Sequence, residues 1–228
     1  MPSVIERRRE LSEETPVAHV DGTTTSKGRY KRPFDLSILV ASHVLLAPIF
    51  LFLWVVVPLL VWLEDRGPVF YGQNRKGKDG RIFTVLKFRT MVKDAERRGP
   101  VWTTEGDPRV TRVGKLLRRT ALDELPELTS IWKGDMSFVG PRALDASEHE
   151  MLEGQIAGFE KRLRVSPGLT GLAQVYDRED AGEAKLQYDL DYISRMNPFL
   201  DMKLMLLSVR NTLLGKWDRR RGKAGRPV

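Results

Sequence analysis

The stretch from Leu36 to Leu63 reads LSILVASHVLLAPIFLFLWVVVPLLVWL and contains no Asp, Glu, Lys or Arg. As one straight helix, at about 1.5 Å rise per residue, it would exceed the roughly 30 Å hydrocarbon core of a bilayer. Pro48 lies near its middle, lacks an amide hydrogen and clashes with the preceding turn, so we expect a break there. Each half, 36–47 and 48–63, is long enough to reach about the centre of the bilayer and return.

Basic residues flank this apolar run on both sides. Because loops rich in Lys and Arg stay on the cytoplasmic face, the pattern favours a re-entrant membrane helix, broken in the middle, over residues 31–65. A tilted helix that crosses once with a proline kink also fits, and the run alone leaves both topologies open. The flanking cations are Lys27, Arg29, Lys31 and Arg32 before the run and Arg66, Arg75, Lys76, Lys78 and Arg81 after it.

Composition limits the chemistry of the rest of the chain. The 228 residues include no cysteine, which excludes disulfides, a thiol nucleophile and a thiolate zinc site. The three histidines have no spacing typical of metal ligands. The formal charge is +8, but residues 1–32 supply +2 and residues 216–228 supply +5, which leaves the body near neutral.

The charge distribution argues against nucleic acid as a partner and favours anionic membrane lipids, with a solvated tail as the equally simple alternative. We therefore expect a disordered N-terminal tail over 1–30, a cytoplasmic domain over 66–215 and a basic C-terminal tail over 216–228. The domain is expected to be mainly helical in an α+β arrangement. Two helices are expected near its end, over 184–196 and 199–214, and the last is apolar enough to lie in the membrane interface or to form buried core.

The first part of this domain predicts a small β-hairpin followed by a short basic helix. Residues 69–71 and 81–88 are β-rich and are separated by a glycine-containing turn. Lys87 and Arg89 at the exit of the hairpin are candidate phosphate ligands, although cations of this kind often only cover a protein face. The basic helix is expected over residues 112–119.

A second helix is expected to start at Thr120 and to end at Gly134. Thr120 with an acid three residues later has the form of a capping box, and a helix start of this kind stabilises a carboxylate. Asp123 is therefore expected to be ionised, close to Arg118 and Arg119. Ordinary capping also explains an acid at this position. Glu124 taken alone is typical of a solvated helix face.

Two glycine-containing loops follow, over 134–142 and 166–175. The first presents Arg142 after a Gly-Pro turn, and a guanidinium fork suits phosphate oxygens. Neither loop has the spacing of a P-loop or of a dinucleotide fingerprint, so glycines alone do not predict nucleotide binding.

Taken together, seven motifs in order resemble the bacterial sugar transferase family, the monotopic polyprenyl-phosphate hexose-1-phosphate transferases or phosphoglycosyl transferases. The resemblance runs from about Lys31 to Leu214. The motifs are Lys31-Arg32-Pro33-Phe34-Asp35, Gly67-Pro68-Val69-Phe70, Lys87-Phe88-Arg89-Thr90-Met91, Leu122-Asp123-Glu124-Leu125-Pro126, Lys133-Gly134-Asp135-Met136-Ser137, Gly140-Pro141-Arg142 and Pro167-Gly168-Leu169-Thr170-Gly171.

The resemblance implies transfer of a sugar-1-phosphate from a UDP-sugar to undecaprenyl phosphate on the cytoplasmic face of the bacterial inner membrane. Asp123 would attack the phosphate next to the sugar and form a covalent intermediate, with Mg²⁺ held by Asp123 and Glu124. Arg118 and Arg142, with Lys87 and Arg89, would bind substrate phosphates.

The chain departs from the usual family pattern at three positions. Ala47 precedes the mid-membrane Pro48 where serine is common. Ala143 follows Arg142 where proline is common, which is expected to loosen that loop. Glu127 replaces a common glutamine and adds a carboxylate near Asp123, which is expected to raise local proton affinity. A non-enzymatic membrane-anchored module that binds anionic lipid or nucleic acid is the alternative. It leaves the order of these motifs unexplained.

Overall fold

The computed structural model describes residues 28–98, 106–177 and 181–214. The fold is mainly helical with a small β-hairpin, as the sequence predicts, and it contains a second two-stranded sheet that was not predicted. The basic tail over 216–228 and nearly all of the N-terminal tail lie outside the described residues. Among the described residues, a 3-10 turn, Gly28–Tyr30, precedes the first long helix.

The apolar run forms two helices, α1 (Lys31–Leu45) and α2 (Ala47–Asp65). The break predicted at Pro48 falls at Leu46, and Pro48 lies in the first turn of α2, where a missing amide hydrogen leaves no helix bond unmade. The ring of His43 stacks on Phe50 across the break, with centroids 4.0 Å apart. Among the described helices, α2 alone is long and apolar enough to cross a membrane.

The outer ends of α1 and α2 pack on the same domain. Near the C-terminal end of α2, Val57 and Val61 join Phe88 and Leu117 in a buried cluster. Near the N-terminal end of α1, the ammonium of Lys31 contacts Asp201 at 2.8 Å. The residues around the break are exposed instead, including Val44, Leu45, Leu46, Ile49, Leu51 and Phe52.

The predicted hairpin is confirmed as β1 (Phe70–Lys76) and β2 (Ile82–Phe88), joined by a turn that includes a 3-10 segment, Lys78–Gly80. The strands are antiparallel, with Phe70 opposite Phe88 and Lys76 opposite Ile82. The free edge of β1 meets the segment after Arg142, because the amide of Lys76 donates to the carbonyl of Leu144. A 3-10 turn, Ala95–Arg98, follows the hairpin.

The basic helix α3 spans Arg112–Thr120, but the capping box predicted at Thr120 is wrong. The Thr120 hydroxyl donates back to the carbonyls of Leu116 and Leu117, and Ala121 then takes a left-handed conformation with φ of 56°. The chain continues as a 3-10 helix, Leu122–Glu127, followed by α4 (Leu128–Lys133). Gly134, with φ of 94°, ends α4 as predicted.

The remaining elements build the other half of the domain. Strand β3 (Ser137–Val139) pairs in parallel with β4 (Gly168–Thr170), which lies inside the second glycine-containing loop. Between the strands lie α5 (Ala146–Gln155) and a 3-10 helix, Phe159–Arg164. After them come α6 (Leu172–Tyr176), α7 (Gly182–Arg195) and α8 (Pro198–Leu213).

Helix α8 divides its apolar residues between the core and the surface. Leu204 is fully buried in a cluster with Val139, Leu172, Tyr192, Ile193 and Met196. A second row on the same helix is exposed, comprising Phe199, Met202, Leu206, Val209 and Leu213. The interpretation as buried core is confirmed for one face of this helix, whereas the interpretation as interfacial surface stays a prediction for the exposed row.

Candidate active site

Three separate elements meet at the carboxylate of Glu124. Glu124 lies on the 3-10 helix Leu122–Glu127, which packs against β2. Its Oε1 accepts hydrogen bonds from Lys87 Nζ of β2 at 2.7 Å and from Arg142 Nη2 at 3.1 Å. The structure thus brings together Lys87, Glu124 and Arg142, which the sequence placed in one site although they lie up to 55 positions apart.

Glu124 and Arg142 are both ionised. Burial favours the neutral acid, but Lys87 and Arg142 outweigh this effect and hold the pKa of Glu124 well below its ordinary value. Glu124 in turn raises the pKa of Arg142. The pair therefore forms a fixed charged support within the site.

Asp123 is placed differently from its neighbour. Its carboxylate forms no ion pair and no hydrogen bond to another side chain within residues 28–98, 106–177 and 181–214. Burial and the charge of Glu124 raise its pKa, while Lys87 and Arg118 act in the opposite direction. This corrects the expectation that a helix start keeps Asp123 ionised: the capping box is absent, and a half-buried site beside a second carboxylate disfavours the charge.

The other predicted cations divide into two groups. Arg118 contributes positive potential at Asp123, and its Nε donates to Thr90 Oγ1 at 2.9 Å. The guanidinium of Arg89 is committed to the carboxylate of Asp65, with Nη1 to Oδ2 at 2.6 Å, and to the carbonyl of Pro68. Phosphate binding by Arg89 stays a prediction, since its contacts tie β2 to the end of α2 instead.

Two buried arginines that sequence reasoning did not assign to the site hold the segment around Arg142. Arg75 was counted only as a cation flanking the membrane run, but it is buried and donates from Nη1 to the carbonyl of Ala143 at 3.0 Å. Arg162 donates to the carbonyl of Arg142 at 2.9 Å and to Asp189 at 2.7 Å. No local pattern distinguishes these residues from surface cations.

The expectation that Ala143 loosens the Arg142 loop finds no support in these contacts. Ala143 is buried, its own carbonyl is bonded by Arg75, and the next carbonyl, of Leu144, is bonded by Lys76. The segment is therefore fixed by backbone hydrogen bonds that do not require proline.

The two glycine-containing loops pack directly on each other. The amide of Gly140 donates to the carbonyl of Thr170, and the amide of Gly168 donates to the carbonyl of Pro141, both at 2.9 Å. A Cβ atom on Gly168 would lie 2.0 Å from the nitrogen of Gly140, and one on Gly171 would lie 2.2 Å from its carbonyl oxygen. These glycines therefore permit a close backbone approach that positions Arg142.

The carboxylates suit a hard divalent cation. In the part of the chain that the structure describes, no group of three or more His, Asp or Glu residues forms a ready cage for a metal ion. Asp123 nevertheless lies beside the bonded Glu124 without a side-chain partner among those same residues, and Mg²⁺ typically binds one or two carboxylates together with substrate phosphates. The donor set fits this mode of binding.

The fold and the site together define a cation-lined carboxylate centre beside an apolar helix pair, an arrangement suited to phosphorylated ligands at a membrane. Residues 26–215 match the family described as bacterial sugar transferase, and the chain belongs to this family. The resemblance that the seven motifs indicate is thus confirmed. Membership in a transferase family argues against the non-enzymatic binding module.

Several curated relatives align over most of the chain. A UDP-N-acetylgalactosamine-undecaprenyl-phosphate N-acetylgalactosaminephosphotransferase of Aeromonas hydrophila is 37% identical over 81% of the chain and 44% of its own length. A UDP-glucose:undecaprenyl-phosphate glucose-1-phosphate transferase of Klebsiella pneumoniae is 37% identical over 82% and 41%. The chain thus spans less than half of either relative. The exopolysaccharide production protein ExoY of Sinorhizobium fredii is 36% identical over 83% of the chain and 88% of its own length.

Proposed function

We propose that this protein transfers a sugar-1-phosphate from a UDP-sugar to undecaprenyl phosphate and so initiates assembly of an exopolysaccharide or another glycoconjugate. The observation that carries the proposal is the pairing of Asp123, which has no side-chain partner among the described residues, with Glu124, which is fixed by Lys87 and Arg142. Two of the relatives are named for transfer to undecaprenyl phosphate, one from UDP-N-acetylgalactosamine and one from UDP-glucose, so the proposal specifies a UDP-hexose and no particular sugar.

In the proposed first step, a carboxylate oxygen of Asp123 attacks the phosphorus next to the sugar. A carboxylate–phosphorus bond forms, the bond from that phosphorus to the bridging oxygen breaks, and uridine monophosphate leaves with the electron pair. In the second step, a phosphate oxygen of undecaprenyl phosphate attacks the same phosphorus and releases Asp123. Two steps allow a soluble donor and a lipid acceptor to use one site in turn.

The charges of the site suit this assignment. Arg142 and Lys87 offer donors for phosphate oxygens, and Arg118 adds positive potential at Asp123. Asp123 and Glu124 would hold Mg²⁺, which supplies charge neutralisation at the phosphates when bound. Burial raises the pKa of Asp123 and favours the protonated acid, whereas Lys87 and Arg118 lower that pKa and favour the ionised form that attacks.

The proposal also includes a re-entrant membrane segment with the catalytic domain on the cytoplasmic face. The support is that both outer ends of α1 and α2 contact one domain, whereas a straight helix of 35 residues would separate them by about 50 Å. The exposed apolar residues around Leu46 would then enter the bilayer. In this topology the membrane segment brings the site to the level of the lipid phosphate without crossing.

Covalent loading tests the reaction. The protein is incubated with Mg²⁺ and a UDP-sugar labelled in the hexose, without lipid acceptor. We expect label on the peptide containing Asp123 at no more than about one per chain, and release of the label when undecaprenyl phosphate is added. Asp123→Asn should abolish loading. Label on Glu124 or Glu127, or turnover by Asp123→Asn, would show that the nucleophile is assigned wrongly.

Cysteine labelling tests the topology, and the absence of native cysteine makes it free of background. Single cysteines are placed at Arg29 and Lys78, on either side of the apolar run. In intact cells both should be protected from an impermeant thiol reagent to the same extent. Labelling at one position alone would establish a single crossing. Pro48→Ala removes the residue that disfavours a continuous helix and is the variant in which crossing should increase.

A further inference from the structure

Glu127 is a buried carboxylate that the proposed reaction does not use. Its side chain is 2% exposed and lies at the end of the 3-10 helix that carries Asp123 and Glu124. Its Oε1 has no hydrogen-bond partner within the described residues, although Lys87 Nζ lies 3.1 Å away in an ion-pair contact. Lys87 is the one cation of those residues within ion-pair distance of Glu127.

Lys87 is consequently shared by two carboxylates. It donates a well-formed hydrogen bond to Glu124 at 2.7 Å and faces Glu127 on its other side. Glu124 has a second cation, Arg142, at 3.1 Å. If Lys87 moves, Glu124 keeps Arg142 in contact, whereas Glu127 loses its one ion-pair contact among the described residues and keeps only the more distant charges of Arg75 and Arg142. Loss of a contacting counter-ion is costly for a buried carboxylate.

We propose that Glu127 is a positioning residue that competes with the donor for Lys87 and thereby lowers the affinity of the site for the diphosphate. The inference rests on the proposed function, because it assumes that Lys87 binds donor phosphate. A phosphate oxygen that recruits the ammonium draws it away from Glu127. The cost of leaving Glu127 without its counter-ion then opposes binding.

The effect acts through Lys87 and not through the proton affinity of Asp123. Burial and Glu124 are the main influences that raise the pKa of Asp123, and Lys87 and Arg118 are the main influences that lower it. From the sequence, Glu127 is expected to raise the local proton affinity near Asp123. That expectation stays a prediction, and the contact geometry points separately to the ammonium of Lys87.

The test uses Glu127→Gln, which keeps the shape of the side chain and restores the residue that is usual at this position in the family. The full-length protein in detergent or nanodiscs is titrated with UDP in the presence of Mg²⁺, and binding is measured by calorimetry. UDP carries the diphosphate and no sugar to transfer, so the measurement does not depend on turnover. We expect the Kd to fall about five- to tenfold, because one ion-pair contact of Lys87 no longer has to be given up when the diphosphate binds.

A matched control separates this effect from a change in net charge. Glu153→Gln removes the same charge from α5, where Glu153 pairs with Lys76 at 3.0 Å, and it should leave the Kd for UDP unchanged. The effect of Glu127→Gln should disappear in a Lys87→Met background, because the competition requires the ammonium. A general structural role for Glu127 would not depend on Lys87 in this way.

Each result decides the proposal. Tighter binding by Glu127→Gln that is lost with Lys87→Met supports it. An unchanged or weaker affinity, or an effect that persists without Lys87, overturns it while the proposed function survives. If the wild type shows no binding of UDP, the proposed donor class is wrong. If Glu127→Gln does not fold, Glu127→Asp withdraws the carboxylate by one methylene, and unchanged UDP affinity in that variant overturns the proposal.

Discussion

Replacing Gly168 by Ala tests whether the backbone contact between the two glycine-containing loops positions Arg142. Gly168 has no left-handed conformation that would disfavour alanine, so the added methyl group acts only through space. Its Cβ would lie 2.0 Å from the nitrogen of Gly140, 2.4 Å from the carbonyl oxygen of Thr170 and 2.6 Å from the carbonyl carbon of Val139. All three are backbone atoms, which cannot rotate away as a flexible side chain can.

The magnitude follows from the displacement that the methyl group requires. Ordinary contact begins near 3.4 Å, so Gly140 and Gly168 must separate by about 1.4 Å. This shift breaks the bonds from Gly140 to Thr170 and from Gly168 to Pro141. At about 1 kcal/mol for each bond and 1–3 kcal/mol for overpacking, we expect the free energy of unfolding to fall by about 3–5 kcal/mol. A shift of about 1 Å in Arg142 should also reduce turnover about a hundredfold.

The assay compares thermal unfolding and transfer rate with those of a matched variant. Gly154 lies in α5, and a methyl group added there would meet nothing within 4 Å, so Gly154→Ala should be neutral or slightly stabilising. The midpoint for Gly168→Ala should fall by about 10 °C in the same detergent. A midpoint and a transfer rate equal to those of Gly154→Ala would refute the assignment of the loop contact.

Four further outcomes are expected. Arg142→Lys keeps the charge but loses the guanidinium fork, so transfer should fall at least about tenfold while the melting midpoint holds; full activity would leave Arg142 outside donor binding. Single-turnover loading without lipid should decline as the pH falls through the pKa of Asp123, because a protonated acid cannot attack, and the midpoint of this decline should lie above the ordinary aspartate value. A carboxyl whose pKa is raised by folding stabilises the protein at low pH, and this stabilisation is lost as the pH rises through the folded pKa. The melting midpoint of Asp123→Asn at pH 7 should therefore be no lower than that of the wild type. A lower midpoint would contradict the direction of the pKa shift. Lys31→Met leaves the fully buried Asp201 without its cation, so the free energy of unfolding should fall by about 3–5 kcal/mol. An unchanged melting midpoint would show that the two tyrosine hydroxyls bonded to Asp201 are enough to stabilise its charge.

Local patterns in the sequence predicted the elements that local chemistry determines. The hairpin follows from β-rich segments around a glycine turn, and α4 ends at Gly134 because glycine tolerates the left-handed conformation there. The break in the apolar run follows from Pro48, although it falls at Leu46 since proline is well tolerated in the first helical turn. In these cases the deciding interaction joins residues a few positions apart.

The wrong prediction at Thr120 and the undetected arginines have different causes, a competing local hydrogen bond in the first case and long-range contacts in the second. Thr120 fits a capping box by spacing, but its hydroxyl bonds backwards to Leu116 and Leu117. Arg75 and Arg162 resemble surface cations in sequence and become buried because carbonyls around Arg142 fold against them. Contacts between residues far apart in the chain leave no periodic signal, so only the resemblance to a family pointed to the site as a whole.

The ends of the apolar helix pair are joined to the same elements that carry the site. At the start of α1, Lys31 donates to the carbonyl of Val139, the residue before the Gly140 turn, at 2.7 Å. At the end of α2, Glu64 accepts from the amide of Arg112 at 2.6 Å and so caps α3, the helix that leads to Asp123.

Charged residues beside the apolar run thus fasten the two helices to the domain, in addition to the effect on membrane topology that the sequence predicts. Asp35 accepts from the hydroxyl of Ser137 and the amide of Phe138, and Asp65 holds Arg89 two positions after Lys87. A change in the angle between α1 and α2 would therefore pull on β3 at one end and on β2 and α3 at the other. Arg142, Lys87 and Asp123 follow these three elements, so the geometry of the site depends on the two apolar helices being seated together.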